Sequence, residues 1–121
     1  MGLLKIVHDA DGGAAMVCVE GDVDSSSVSE LIEALDSGLA AGAEAPRRVL
    51  VVGLADVTYF GSAGLNTVLN CYERGLAMDV AVRVVAAHPE VLRPIQVTKL
   101  DDVLRPFASI EDALAADAGP P

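Results

Sequence analysis

The 121 residues fall within the range of one ordinary domain, which argues against a two-domain enzyme with its own cofactor-binding half. Hydrophobic residues make up 52% and charged residues 21%, enough apolar side chain for a packed core and too much for a disordered chain. Eight Lys and Arg against eighteen Asp and Glu leave a formal charge of −10, which repels nucleic-acid phosphates and anionic lipid, so direct nucleic-acid binding is not expected, and no run approaches the ~18 uninterrupted apolar residues of a spanning helix, so membrane insertion is not expected either.

The chain opens with two short apolar runs, Leu3 to His8 and Ala15 to Glu20, separated by the turn-rich Asp9-Ala10-Asp11-Gly12-Gly13; this pattern predicts a hairpin. After Gly21-Asp22-Val23-Asp24 and the serines 25 to 27, apolar Val28, Leu31, Ile32, Leu35 and Leu39 recur at helical spacing. Ser27 and Glu30 read as a capping box at the start of that helix, and Gly42 and Pro46 as its exit loop after Leu39 or Ala40. Val49 to Val52 is apolar at every position, as a strand buried on both faces would be. Leu65, Val68, Leu69 and Tyr72 mark a second helix beginning near Ala63, with Gly75 as its left-handed terminator.

Val80 to Ala86 predicts another buried strand, and Pro89 the first turn of a short helix that Pro94 would break or end. Val103 to Phe107 reads as a weak edge strand because Pro106 donates no hydrogen bond. Ser109 to Asp112 opens a last short helix, and residues 116–121 read as a frayed tail. The expected order is β-β-α-β-α-β-α-β-α: an α/β domain with a mostly parallel central sheet and helices packed on it.

Enzyme templates do not fit. There is no phosphate-cradling Gly-Lys-Ser/Thr loop, no dinucleotide glycine fingerprint and no zinc spacing around Cys18 and Cys71, which read as buried free thiols although a disulfide is left open. His8 and His88 read as structural or solvated, and Gly61-Ser62-Ala63-Gly64 lacks the glycine two residues before the serine that a nucleophile elbow requires. No cofactor, no metal and no catalysis are expected, and a cytoplasmic location is. Ser62 stands out between a buried strand and a helix, flanked by Gly61 and Gly64. It can act as the N-cap of the helix, or as a phosphorylation switch whose phosphate the helix N-terminus favours; both roles are compatible.

The stretch from Val49 to Leu65, ending Val57-Thr58-Tyr59-Phe60-Gly61-Ser62-Ala63-Gly64-Leu65, resembles the signature of anti-sigma factor antagonists, the STAS domain. Gly21-Asp22-Val23-Asp24 resembles the segment before that family's first helix, and Leu100 to Leu114 its closing strand and helix. The resemblance implies a STAS-like single domain over residues 1–115. It implies that Ser62 is phosphorylated by a partner anti-sigma factor serine kinase, that a serine phosphatase reverses this, and that Asp22, Asp24, Ser25, Gly61, Ser62, Ala63, Gly64 and Leu65 form the partner surface. Two positions depart from the family: its aspartate before the phosphoacceptor is Gly61 and its following serine is Ala63, leaving Ser62 the only hydroxyl between Gly61 and Leu65. The function implied is release of a sigma factor by binding its anti-sigma kinase, switched off by phosphorylation of Ser62. The competing expectations are a phosphorylation-independent STAS scaffold or accessory subunit in a signalling or transport assembly, and a small nucleotide-binding domain or enzyme.

Overall fold

The computed structural model describes residues 4–116. Strands β1 (Lys5–Asp11) and β2 (Ala14–Val23) form the expected hairpin, antiparallel across a turn in which Gly12 and Gly13 both take positive φ. Helix α1 (Val28–Glu44) then crosses to β3 (Val49–Phe60), α2 (Ser62–Ala77) to β4 (Ala81–Val85), and both crossovers produce parallel pairing. The sheet order is β1-β2-β3-β4, with β3 central. Three short helices follow among the described residues: α3 (Pro89–Val97), α4 (Asp101–Leu104) and α5 (Ile110–Ala115).

Period-two alternation along β3 divides the core. Leu50, Val52 and Leu54 enter the main cluster with Leu31, Leu35 and Leu39 of α1, Leu65 and Val68 of α2, and Val91 and Ile95 of α3. Val49 and Val51 face the opposite side, where Met16, Val85 and Ala113 of α5 form a smaller cluster. The wholly apolar run is therefore a strand buried on both faces.

The structure corrects several local expectations. Ser27 and Glu30 do not form a capping box: the Ser27 side chain makes no cap hydrogen bond, and Glu30 Oε1 instead accepts from Leu4 N at 3.3 Å. Helix α1 does not stop at Leu39 or Ala40 but continues through Gly42, whose missing Cβ would stand 3.1 Å from Val80 Cγ1. Gly75 is likewise inside α2; a Cβ there would lie 2.8 Å from the Val80 carbonyl oxygen, and the left-handed residue after the helix is Asp79. Both glycines permit close packing of helix against sheet, where local sequence suggested an ending.

Pro94 sits inside α3 without ending it. The carbonyl it leaves without an amide partner belongs to exposed Glu90, where water can satisfy it. Residues 103–107 are not a strand. Val103 and Leu104 complete α4, Arg105 turns left-handed, and only Phe107 pairs with Val85 beside β4. Ser109 caps α5 as expected, accepting from Asp112 N at 3.1 Å. Cys71 is buried but Cys18 is only half-buried, and both thiols are free. Residues 1–3 and 117–121 lie outside the described residues, as does nearly all of the expected tail; Ala116 itself accepts hydrogen bonds from Arg47 and Arg83.

Arginines close the helix ends. Arg47 and buried Arg83 donate to carbonyls at the end of α5, including Arg47 Nη1 to Leu114 at 2.8 Å and Arg83 Nη1 to Ala113 at 2.6 Å. Arg48 donates to Ala43, Met78 and Asp79 carbonyls at 2.8, 2.5 and 2.9 Å, joining the ends of α1 and α2. Arg48→Ala is expected to cost about 1–2 kcal/mol, since the side chain is exposed and its acceptors regain water; urea unfolding checks this.

Burial pushes the Cys71 thiol up to about 12, with the Asp36 carboxylate adding to the rise and Arg74 opposing it. Between pH ~9 and about 12 the unfolded chain therefore releases a proton that the folded chain retains, so stability falls as pH rises across that window. Cys71→Ala is expected to flatten the fall in urea midpoint between pH 9 and 11 relative to the native chain.

Candidate functional site

The carboxyl ends of β2 and β3 are adjacent, where loops of parallel α/β sheets usually carry function. Asp22 lies opposite Tyr59 and Val23 opposite Phe60. Gly61 N then donates to the Val23 carbonyl at 2.9 Å, fastening the start of α2 to the end of β2. Residues 21–24 and 57–65, which belong to two of the three segments that carry the family resemblance, thus form one edge.

On the first segment, Asp24 Oδ1 accepts from Ser26 Oγ at 2.6 Å, Ser26 N at 2.9 Å and Ser27 N at 3.2 Å. The Ser26 hydroxyl, then the Ser26 and Ser27 amides, hold the Asp24 carboxyl below its ordinary range. Buried Ser27 donates to the Asp22 carbonyl at 2.8 Å and accepts from Asp24 N at 3.1 Å, so its hydroxyl braces the β2–α1 turn instead of capping α1. Ser25 is exposed and its side chain makes no hydrogen bond among the described residues.

On the second segment the N-cap is Gly61, not Ser62, which is the first residue of α2. Ser62 is exposed, and its hydroxyl makes no hydrogen bond among the described residues. Among the described residues no side chain caps α2 and no acidic residue occupies its first turn, so the positive end of the helix dipole lies open beside Ser62. Ala63 is half-buried, whereas Gly64 and Leu65 are buried and hold the helix in place from below. A Cβ on Gly64 would stand 2.6 Å from Val23 Cγ1 and 3.0 Å from Phe60 Cε1.

Sequence reasoning missed Thr58 and Tyr59. Pairing shifts by one residue between Gly21–Val57 and Asp22–Tyr59, making Thr58 the extra residue of a bulge, and Gly21 has φ +114. Thr58 Oγ1 donates to Asp22 Oδ1 at 2.5 Å. Gly21, which directly follows the second apolar run in sequence and lies inside β2 in the structure, was the available signal. No described cluster of His, Cys, Asp and Glu could hold a metal ion, and no described helix is long and apolar enough to cross a membrane.

The family model of the STAS domain matches residues 5–113. The structure of an anti-sigma factor antagonist from Mycobacterium paratuberculosis is similar at TM-score 0.82, with 30% identity over 92% of this chain and 91% of that one. The anti-sigma factor antagonist SpoIIAA in its unphosphorylated form is similar at TM-score 0.71, with 14% identity over 91% of this chain and 93% of that one. The phosphorylated form of SpoIIAA, a Bacillus cell-fate determinant, gives TM-score 0.66 at 14% identity over 91% and 96%.

Proposed function

The chain belongs to the STAS domain family, and from that premise we propose that it is an anti-sigma factor antagonist that binds an anti-sigma serine kinase when Ser62 is unmodified, freeing the sigma factor. Phosphorylation of Ser62 by that kinase ends the complex, and a serine phosphatase restores it. The observation that carries this reading is the exposed Ser62 hydroxyl at the start of α2, without a hydrogen bond among the described residues, on the edge that also presents Asp22 and Asp24. The 30% identical relative is itself an anti-sigma factor antagonist, which supports the class.

The chemistry is consistent with a reversible switch. A phosphate on Ser62 is favoured by the positive helix end, so modification leaves the fold intact. The same dianion carries about −1.5 to −2 charges into an interface packed for a neutral hydroxyl. Protein isolated from its source cells and mapped by mass spectrometry is expected to carry phosphate at Ser62 in a subpopulation that a serine phosphatase removes; phosphate found only elsewhere, or never across growth conditions, contradicts the switch.

Gly61 favours a second reading, a phosphorylation-independent scaffold, because no carboxylate stands beside Ser62 to engage a kinase. That reading requires Ser62→Asp to retain every partner of the native chain.

A further inference from the structure

The bulge at Thr58 turns two consecutive side chains, Thr58 and Tyr59, outward at the end of β3, where regular alternation would have buried one of them. The Tyr59 side chain is 49% exposed and folds back over Gly61: a Cβ there would stand 3.2 Å from Tyr59 Cε2 and 3.3 Å from its hydroxyl oxygen. The backbone at Gly61 is ordinary, φ −82, so nothing in its conformation demands glycine. Its bare Cα instead makes room for the ring. Tyr59 also forms one wall of a groove of about 360 Å³ between β3 and α3, whose far side carries Arg93 and Val97, the latter 74% exposed.

We infer that Tyr59 is the specificity-determining residue of the Ser62 surface, an aromatic anchor seated on Gly61, and that Thr58 and Asp22 are the positioning pair that holds it there. The inference rests on the reading of this edge as the surface for an anti-sigma kinase. Glycine leaves no carboxylate at position 61, and the phenol of Tyr59 offers ring carbons and a hydroxyl there. The partner element that meets the ring itself is therefore an apolar side chain with a hydrogen-bonding group beside it. Thr58→Val removes the hydroxyl that binds Asp22 with little change of side-chain shape, and Gly61→Asp adds a Cβ 3.2 Å from Tyr59 Cε2, so the ring must shift away from position 61.

Two readouts test this. With no Trp and only Tyr59 and Tyr72 in the chain, Tyr72→Phe leaves Tyr59 as the only fluorophore. Acrylamide quenching of that protein is expected to rise by about half or more on adding Gly61→Asp and to a smaller extent on adding Thr58→Val; unchanged quenching overturns the seating of the ring. In titrations against the purified anti-sigma kinase, with folding of each variant checked by circular dichroism, Tyr59→Ala is expected to bind about tenfold more weakly and Tyr59→Phe within about threefold. Native affinity in Tyr59→Ala overturns the specificity role while leaving the Ser62 switch intact. Failure of the native chain to bind the kinase sinks the functional reading, and the specificity role with it.

Discussion

Gly64→Val is expected to destabilise the domain by about 3 kcal/mol and to abolish partner binding in the fraction that still folds. The position lies on the first turn of α2, where the helix crosses directly over the end of β2. Its missing Cβ would be 2.6 Å from Val23 Cγ1 and 3.0 Å from Phe60 Cε1. Both neighbours are buried, 0% and 3% exposed, so neither can swing into solvent to relieve the contact. The helix start must lift, straining the 2.9 Å bond from Gly61 N to the Val23 carbonyl that unites the two halves of the site. Gly64→Ala separates the terms: it introduces the same Cβ but gains about 1 kcal/mol of helix preference, so a net loss nearer 1 kcal/mol is expected. Urea unfolding read by circular dichroism measures both; a Gly64→Val protein as stable as the native chain contradicts the packing account.

Ser62→Asp is expected to weaken the kinase complex by about a hundredfold, roughly 3 kcal/mol, whereas Ser62→Ala stays within about threefold of native. The asymmetry follows from the site. The native hydroxyl makes no hydrogen bond among the described residues, so Ala removes none of the bonds described. Asp adds a charge that water and the positive helix end solvate well in the free protein. Docking a partner strips that water, and Asp22 and Asp24 already make the edge acidic. The cost therefore appears in the complex and not in folding: the thermal midpoint of Ser62→Asp is expected to match or exceed that of the native chain. A midpoint lowered by several degrees would mean that lost folding, not lost docking, explains any weakened binding.

Much of the fold was legible because its periods are clean. The hairpin turn at Gly12-Gly13, the helical spacing from Leu31 to Leu39 and the doubly apolar run Val49 to Val52 each determined an element. What misled were residues whose usual local meaning was overridden by packing. Gly42 and Gly75 read as helix ends, yet each lies within a helix pressed against Val80. Glu30 read as half of a capping box, but its carboxylate reaches Leu4, 26 positions away in the chain. The run Val103 to Phe107 had strand composition, but Leu104 is buried in the main core as part of a helix and Phe107 alone reaches β4.

For the site, the serine and its loop could be found from sequence, because a hydroxyl between two glycines at a strand-to-helix junction is a local pattern. The bulge could not. It depends on how Gly21 and Thr58 align across two strands joined by a 17-residue helix, and only that alignment turns Tyr59 toward Gly61. Burial of Gly64 and Leu65 was equally hidden, since adjacency to Ser62 in sequence suggested a shared surface that the first turn of α2 does not provide.

The most direct test of the central claim is calorimetric titration of the purified anti-sigma kinase with two preparations of the native chain, one unmodified and one carrying phosphate at Ser62 alone. The unmodified chain is expected to bind stoichiometrically and the phosphorylated chain about a hundredfold more weakly, with affinity restored after phosphatase treatment. Equal affinity of the two preparations would contradict the switch and leave Ser62 as no more than the first residue of α2.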